Sequence, residues 1–454
     1  MLSSFPMASE AKATIRLAIP IIIGELAQMS LHIIDTAMIG ALGYKELAAA
    51  ALVVSAMNIP FVFGIGVTIS VSQMVSMANG RQDRKAVSHF FFNGFILCAA
   101  TAVIISLLLI TGRVFLHRLG QDAEVVTLAI PFMEVMGASI IPMLLFMTLK
   151  QFTDGLEFTK TAMALSLSAL PMNVLLNWLL IYGHWGFPKL GLMGAGWATL
   201  IVRTIIFLAL LIVVLKRKTF TDFLQDKTNQ WRLRRQTINQ LLYIGIPSAL
   251  QIGIEVSAFA VSAIIIGTIS AVAQASHQIA ISCAAFTFMV SMGLSQAGSI
   301  RVSNAFGRRD WDKIANIGKS TLLSAFVYGI FCALLFVVLR NSLPRIFNEN
   351  VEVVQLSGLL ILFAAIFQIS DATQAVGAGL LRGVKDVRTP TVLIAIAYWA
   401  IALPVGLLLA FPFRFGAAGM WAGLILGLTF ASGFLLKRFF RLVKNVDLRP
   451  ALQQ

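Results

Sequence analysis

The stretch from Leu17 to Gly43 reads LAIPIIIGELAQMSLHIIDTAMIGALG, an apolar run that is long enough to cross a bilayer. Inside it, Glu25, Gln28, His32 and Asp35 follow one another at intervals of three, four and three residues. This spacing puts all four side chains on one face of a helix. A polar stripe of this kind cannot face lipid, so we expect it to line a protein interface or a water-filled cavity.

The composition is that of a membrane protein throughout. Of 454 residues, 58% are hydrophobic and 12% are charged, whereas soluble domains carry about 25% charged residues. Twelve apolar runs are long enough to span a membrane, at 13–41, 47–78, 87–111, 125–149, 160–183, 192–215, 240–268, 272–304, 315–339, 352–380, 389–411 and 416–436. The sequence therefore predicts an all-α integral membrane protein with twelve transmembrane helices.

The formal net charge of +15 follows from the topology. When alternate loops are assigned to two sides, one side holds most of the Lys and Arg, including Lys150, the cluster 216–235 and the tail 437–449. This asymmetry places both termini in the cytoplasm. Nucleic acid is therefore not an expected partner, and three scattered cysteines predict neither a disulfide framework nor a metal site.

The chain also repeats itself at an offset of 227 residues. The matching pairs run without a gap from Pro20 with Pro247 to Asp83 with Asp310. Each half holds six predicted spans, so both halves enter the membrane in the same orientation, related by a pseudo-two-fold axis along the membrane normal. We expect a six-helix bundle over 1–215, a basic linker over 216–237 and a second bundle with a short basic tail over 238–454. Two such bundles predict a central cleft that opens by rocking.

Pro20 and Pro247 lie inside the first span of each half. A proline within a helix removes a hydrogen bond and kinks it. A hinge for bending and a fixed packing kink are both compatible with this position.

Three acids within the spans are the candidate ion-coupling residues, since a charge in the bilayer is costly and usually functional. Asp35 is grouped with Asn173 and Asn177 in the first half. Glu255 and Asp371 are grouped in the second half, with nearby polar and aromatic residues Gln278, Gln374, Phe259 and Phe288. Carboxylate and carboxamide oxygens suit Na⁺ or a proton, so Na⁺ at Glu255 and Asp371 is one possibility. Interhelical hydrogen bonding is the alternative, above all for the amides.

Other polar residues in the spans are weaker candidates. We expect Arg203 to pair with a buried acid, Glu25 and Glu134 to lie near helix ends, and His32 and His277 to be packing residues. A Walker A loop, HExxH and GxSxG are all absent, which argues against ATP hydrolysis and membrane-embedded enzymes. No cofactor is expected.

The chain resembles the multidrug and toxic compound extrusion (MATE) family, and its NorM branch in particular. The resemblance rests on Leu17–Gly43, on IPSALQIGIE ending at Glu255, on ASHQIA at 275–280 and on ISDATQAVGAGLLRG at 369–383. It implies a V-shaped fold of two bundles and an antiporter that exports lipophilic cations in exchange for inward Na⁺ or H⁺ by alternating access. It also implies ion coupling at Asp35, Glu255 and Asp371, with Gln278 beside the second site.

The resemblance further implies a bacterial inner membrane protein, which we expect to be a monomer that transports small cationic drugs. One departure is Phe288, where some members have a tyrosine; a phenolic ligand is absent there, although a ring face can still attract a cation. Two alternatives stay open, a lipid-linked saccharide flippase of the same superfamily and an ion channel.

Overall fold

The computed structural model describes residues 6–118, 122–224 and 232–445, which form long helices with no strand in these ranges. Twelve of the helices are long and apolar enough to cross a membrane, as predicted. They are α1 (Pro6–Gly40), α2 (Tyr44–Gly80), α3 (Arg84–Gly112), α4 (Ala123–Gly155), α5 (Thr159–Tyr182), α6 (Leu192–Lys216), α7 (Arg235–Gly267), α8 (Ala271–Gly307), α9 (Trp311–Leu339), α10 (Val351–Gly383), α11 (Arg388–Ala410) and α12 (Gly416–Lys444). Four short helical segments lie between them, at Arg113–Arg118, His184–Gly186, Lys218–Thr221 and Leu343–Phe347.

The helices form two compact units. The N-unit is Ile23–Ala249, and the C-unit combines Met1–Ile22 with Leu250–Gln454. The division falls inside α1 and α7, two residues after Pro20 and Pro247, which both lie within continuous helices. The predicted boundaries at 1–215, 216–237 and 238–454 describe the sequence repeat and stay a prediction; part of that linker and the end of the tail lie outside the described residues.

One helix is central in each unit. In the N-unit α4 packs against α2, α3 and α6, while in the C-unit α10 packs against α8, α9 and α12. The N-unit core contains fully buried side chains of α2 and α4, such as Val53, Ala129 and Ile140. In the C-unit, Trp421 and Tyr398 are among the largest fully buried side chains.

The sequence repeat corresponds to repeated turns. Asp83 caps α3 by accepting a hydrogen bond from the Ala86 N–H (3.0 Å), and Asp310 caps α9 in the same way. The residues just before them, Gln82 and Arg309, have positive φ angles of 58° and 60°. Both tight turns therefore use the same backbone geometry, which explains why Asp recurs at this position.

Two glycines of the repeat allow close helix crossings. A Cβ added at Gly66 of α2 would lie 2.3 Å from the Cα of Ala249, within the N-unit. One added at Gly293 of α8 would lie 3.0 Å from the backbone N of Ile22, within the C-unit. Ile22 and Ala249 are themselves 227 residues apart. In each unit the first segment of a long helix therefore packs closely against a glycine. This helix is α7 in the N-unit and α1 in the C-unit.

Helix α11 is not regular. Its middle segment, Ile396–Ala402, is a π-helix between two α-helical segments. Pro404 lies two residues after this segment and lacks the N–H that an α-helical turn would use. A π-helical turn carries an extra residue and is frequent at functional sites; this one contains Tyr398.

Candidate functional site

In the N-unit, Asp35 of α1 meets polar residues of α5 and α6. The Asn177 amide donates to Asp35 Oδ1 at 2.6 Å and to Asn173 Oδ1 at 3.1 Å. The Thr199 hydroxyl approaches Asp35 Oδ2 at 3.4 Å. Asn173 and Asn177 are buried, at 1% and 0% exposure. The predicted grouping of Asp35, Asn173 and Asn177 is present, and Thr199 is an addition that the sequence did not indicate.

This N-unit site carries acceptor oxygens that are not saturated. Asn177 Oδ1 is buried and has no hydrogen-bond partner within the described ranges. Together with the Asp35 carboxylate it provides hard oxygen ligands, of the kind that suit a proton or an alkali cation.

Arg203 of α6 lies near this group. Its Nη1 donates to the Ser139 hydroxyl at 2.6 Å, and its charge attracts the Asp35 carboxylate. Asp35 is therefore the acid that faces Arg203, although Arg203 forms its hydrogen bond with Ser139. A fixed positive charge beside Asp35 opposes the binding of a second cation at this carboxylate.

In the C-unit, Glu255 of α7 meets Asp371 and Gln374 of α10. The Gln374 amide donates to Glu255 Oε1 at 2.7 Å. Asp371 is 5% exposed and close enough to Glu255 for the two like charges to repel. Two carboxylates close together, one buried and one half-buried, attract a cation or a shared proton.

Aromatic rings border these two acids. Tyr398 of α11 is fully buried and interacts electrostatically with Glu255 and Asp371. The Phe259 ring lies 5.6 Å from Tyr398 and 6.0 Å from Phe367, both nearly perpendicular. The Phe259 side chain thus packs among rings that border the acidic pair.

Two of the residues predicted beside the acids of the C-unit have other surroundings. Gln278 is exposed and donates to the Ser282 hydroxyl at 3.5 Å, and it forms no hydrogen bond with either acid in the described structure. Of the two glutamines predicted beside these acids, Gln374 is the one that bonds Glu255, at 2.7 Å. Phe288 is half-buried on α8.

The two histidines differ from each other. His277 is buried and accepts a hydrogen bond from the Trp421 indole at 3.2 Å, which is a packing role as expected. His32 is exposed on α1, so the expected packing role does not apply to it.

A further charged group lies in the N-unit and corrects two expectations. Lys150 Nζ lies 2.8 Å from Glu25 Oε1 and 3.6 Å from Asp154 Oδ2. We expected Glu25 near a helix end and Lys150 in a loop. Glu25 instead lies in the middle of α1, and Lys150 is buried in α4, which continues to Gly155. The i, i+4 spacing of Lys150 and Asp154, directly after an apolar run, is the sequence feature that could have indicated this buried ion pair. Glu134, by contrast, pairs with Arg113 where both side chains are partly exposed.

Within the described residues, no group of three or more His, Cys, Asp or Glu could hold a metal ion. The oxygens of the two sites are carboxylates supported by carboxamides and hydroxyls. Such oxygens can bind a proton or a weakly held monovalent cation.

Comparisons with known proteins agree with this architecture. The family model MatE matches residues 20–179 and 247–408, once in each half. A "Probable multidrug resistance protein NorM" of Rhizobium meliloti (strain 1021) is 34% identical over 445 residues, covering 97% of this chain and 95% of the relative. A "Multidrug resistance protein NorM" of Vibrio vulnificus (strain YJ016) is 33% identical, covering 96% and 97%. The crystal structure of the eukaryotic MATE transporter AtDTX14 superposes with a TM-score of 0.88 at 20% identity, covering 99% of this chain and 100% of that one.

Proposed function

We propose, because this chain belongs to the MatE family, that it is a secondary active multidrug antiporter, which exports lipophilic organic cations in exchange for Na⁺ or H⁺ moving inward. The observation that carries the proposal is the pairing of the half-buried Glu255 with the buried Asp371, with Gln374 bonded to Glu255. The names of the NorM relatives support the substrate class. Twelve membrane-spanning helices provide the setting for such transport.

Glu255 and Asp371 are the primary coupling site in this proposal. Two like charges held close together in a low-dielectric region repel each other, and a bound cation or proton relieves the repulsion. Transport is coupled when the ion binds two conformations with different affinity. Asp35, with Asn173, Asn177 and Thr199, is a weaker second ion-binding position in the N-unit, because the charge of Arg203 opposes a cation there.

We infer Na⁺ as the preferred coupling ion at the Glu255 and Asp371 site. Phe288 has no oxygen, but the phenolic group of Tyr398 interacts electrostatically with both acids. Phenol, carboxamide and carboxylate oxygens together make a ligand set for a hard monovalent cation. The similarity to NorM proteins supports the same choice.

Pro20 and Pro247 are proposed as hinges, since the grouping of contacts changes two residues after each of them. The excess of Lys and Arg on alternate loops supports an orientation with both termini in the cytoplasm of a bacterial inner membrane. We propose a monomer as the working unit.

A flippase for lipid-linked saccharides would need cations to hold a pyrophosphate, whereas both sites described here are built around acids. A channel would conduct ions without competition between ion and drug. Competition is therefore the property that separates the antiporter from the channel.

The test is ethidium efflux from proteoliposomes that contain the purified protein, first under an Na⁺ gradient and then under a pH gradient. We expect the Na⁺ gradient to drive efflux and Asp371→Asn to abolish it without loss of folded protein. Asp386→Asn is the matched control, because Asp386 is buried in the C-unit but pairs with Arg438 at 2.8 Å. Full efflux by Asp371→Asn would refute the assignment, and efflux driven by pH alone would refute the sodium preference.

A further inference from the structure

Glu25, Lys150 and Asp154 form a buried charged cluster, here called the α1–α4 cluster, that the proposed coupling sites do not use. Glu25 lies ten residues before Asp35 on α1, which separates them by about 15 Å along the helix. Lys150 and Asp154 are 2% and 1% exposed, and the Glu25 side chain is 11% exposed. Water therefore has little access to any of the three charges.

The charges of this cluster do not balance. Two carboxylates and one ammonium sum to −1 when all three are ionised. Lys150 lies within hydrogen-bond distance of Glu25 but 3.6 Å from Asp154, and Asp154 Oδ2 has no hydrogen-bond partner in the described structure. One ammonium cannot neutralise both carboxylates, and an uncompensated buried charge costs several kcal/mol, so the cluster needs one more positive charge.

A second unsatisfied group points to the same place. A Cβ built at Gly24 would lie 3.8 Å from Lys150 Cε and 3.9 Å from Ser166 Oγ of α5. The Ser166 hydroxyl is buried and has no hydrogen-bond partner within the ranges described. A buried hydroxyl without a partner, close to the lysine of the cluster, is what a missing ligand would leave.

The repeat shows that the helix packing does not require these charges. Gly155 and Gly383, 228 residues apart, approach the carbonyls of Ser72 and Ser299 in the same way, each with a built Cβ 2.8 Å from the oxygen. In this register Asp154 corresponds to Arg382, and Lys150 corresponds to Ala378. The C-unit therefore makes the equivalent helix contact without an acid–lysine–acid arrangement, and the cluster is a special feature of the N-unit.

The ligand is small, because the lysine already occupies the position between the acids. A metal ion would have to displace the Lys150 ammonium from Glu25, whereas a proton needs only the free Asp154 Oδ2. The charged groups that face Lys150 are Glu25 from α1 and Asp154 on its own helix, while α5 contributes the neutral Ser166.

We infer that the α1–α4 cluster is an exchangeable proton site, distinct from Asp35 and from the acids of the C-unit. A hydronium ion gives its proton to Asp154 Oδ2, an O–H bond forms, and the charge of the cluster changes from −1 to 0. Hydration of the cluster returns the proton to water, because water then stabilises the separated charge. A role of this exchange in transport rests on the proposed antiport, but the presence of the proton does not.

Infrared spectroscopy of the full-length protein in lipid vesicles, without drug or gradient, tests the site directly. A protonated carboxyl has a C=O stretching band that an ionised one lacks. We expect the wild type to show one band that is absent from Asp154→Asn and also from Glu25→Gln, since removal of either acid leaves a balanced pair. Asp386→Asn should keep the band, because Asp386 has its own arginine. Size-exclusion chromatography shows which variants are folded. If Asp154→Asn does not fold, the loss of the band in Glu25→Gln is a sufficient test on its own.

A band that persists in both cluster variants would overturn the proton site. Stabilisation of the wild type by added Na⁺, absent from Asp154→Asn, would overturn it in favour of a metal ion. The transport role has its own readout, the protons released per protein when ethidium is added to a weakly buffered sample. We expect Asp154→Asn to release one proton fewer than the wild type. If the wild type did not export ethidium, the proposed antiport would be refuted, whereas the infrared result on the proton site would still stand.

Discussion

Asn177 offers the sharpest test of the N-unit site, because its one amide makes two bonds of different kinds. It donates to the Asp35 carboxylate at 2.6 Å and to the Asn173 carbonyl at 3.1 Å. A hydrogen bond to a charged group contributes about 1.5–3 kcal/mol, whereas neutral side-chain bonds in membrane helices average about 0.6 kcal/mol. Asn177→Leu keeps the approximate volume and removes both bonds, while Asn173→Leu removes the bond between the two amides and leaves the 2.6 Å bond from Asn177 to Asp35 in place.

We therefore expect Asn177→Leu to lower the free energy of unfolding by about 2–3 kcal/mol, and Asn173→Leu by less than about 1 kcal/mol. The measurement is reversible denaturation of the purified protein in mixed detergent micelles. Asn173→Leu is a matched control, since it stands one helical turn away on α5 and is equally buried.

A double-mutant cycle identifies the carboxylate as the source of the difference. In an Asp35→Asn background the charged acceptor is gone, so Asn177→Leu should cost about the same as Asn173→Leu. Contacting groups of this type have coupling energies of about 0.5–3 kcal/mol. Equal costs for the two leucine variants in the wild-type background, or a coupling energy near zero, would refute this reading of the site.

Three further predictions concern packing and charge. Gly66→Ala should lower the free energy of unfolding by about 1–3 kcal/mol in the same denaturation assay, since the added Cβ would meet the Ala249 backbone. Gly112→Ala should have no effect, because there is open space around Gly112. Equal effects of the two variants would contradict the close helix crossing. Lys150→Met should lower the free energy of unfolding by about 3–5 kcal/mol, because it leaves buried acids without their cation. Adding Glu25→Gln to this variant should restore part of the lost stability. A double variant that is no more stable would count against the Lys150–Glu25 pair. Arg301→Gln should increase the rate of amide hydrogen exchange in the first turns of α1. The reason is that Arg301 donates to the Glu10 carbonyl at 2.7 Å and forms an ion pair with the Glu10 carboxylate. An unchanged exchange rate would show that this contact does not stabilise the start of α1.

Much of the fold could be predicted from the sequence, for physical reasons. A membrane-spanning helix must satisfy its backbone internally and be apolar along its length, so each span is visible as a run. The recurrence of Asp83 and Asp310 was visible too, because a helix cap needs a particular side chain. The acids of both sites were visible because a carboxylate in a span is rare.

The neighbours of those acids depend on helix rotation, which residue types do not determine. Gln278 and Gln374 are equally plausible partners for Glu255 on paper, and only packing points Gln374 at the carboxylate. Lys150 and Asp154 were overlooked for a different reason. They follow an apolar run, where charges normally lie in water, and burial became evident only from the helices around them. The change of unit inside α1 and α7 likewise arises from packing, since neither helix is interrupted in sequence.

The exchange of segments between the two units bears on the origin of the protein. The first part of α1 belongs to the C-unit and the first part of α7 to the N-unit, and both meet a glycine at equivalent positions. An ancestor that consisted of a single half would have completed each copy with a segment from its partner, as a domain-swapped homodimer does. Gene duplication and fusion would then have joined two chains that already depended on each other. A half expressed alone today should for the same reason lack the piece that closes its core.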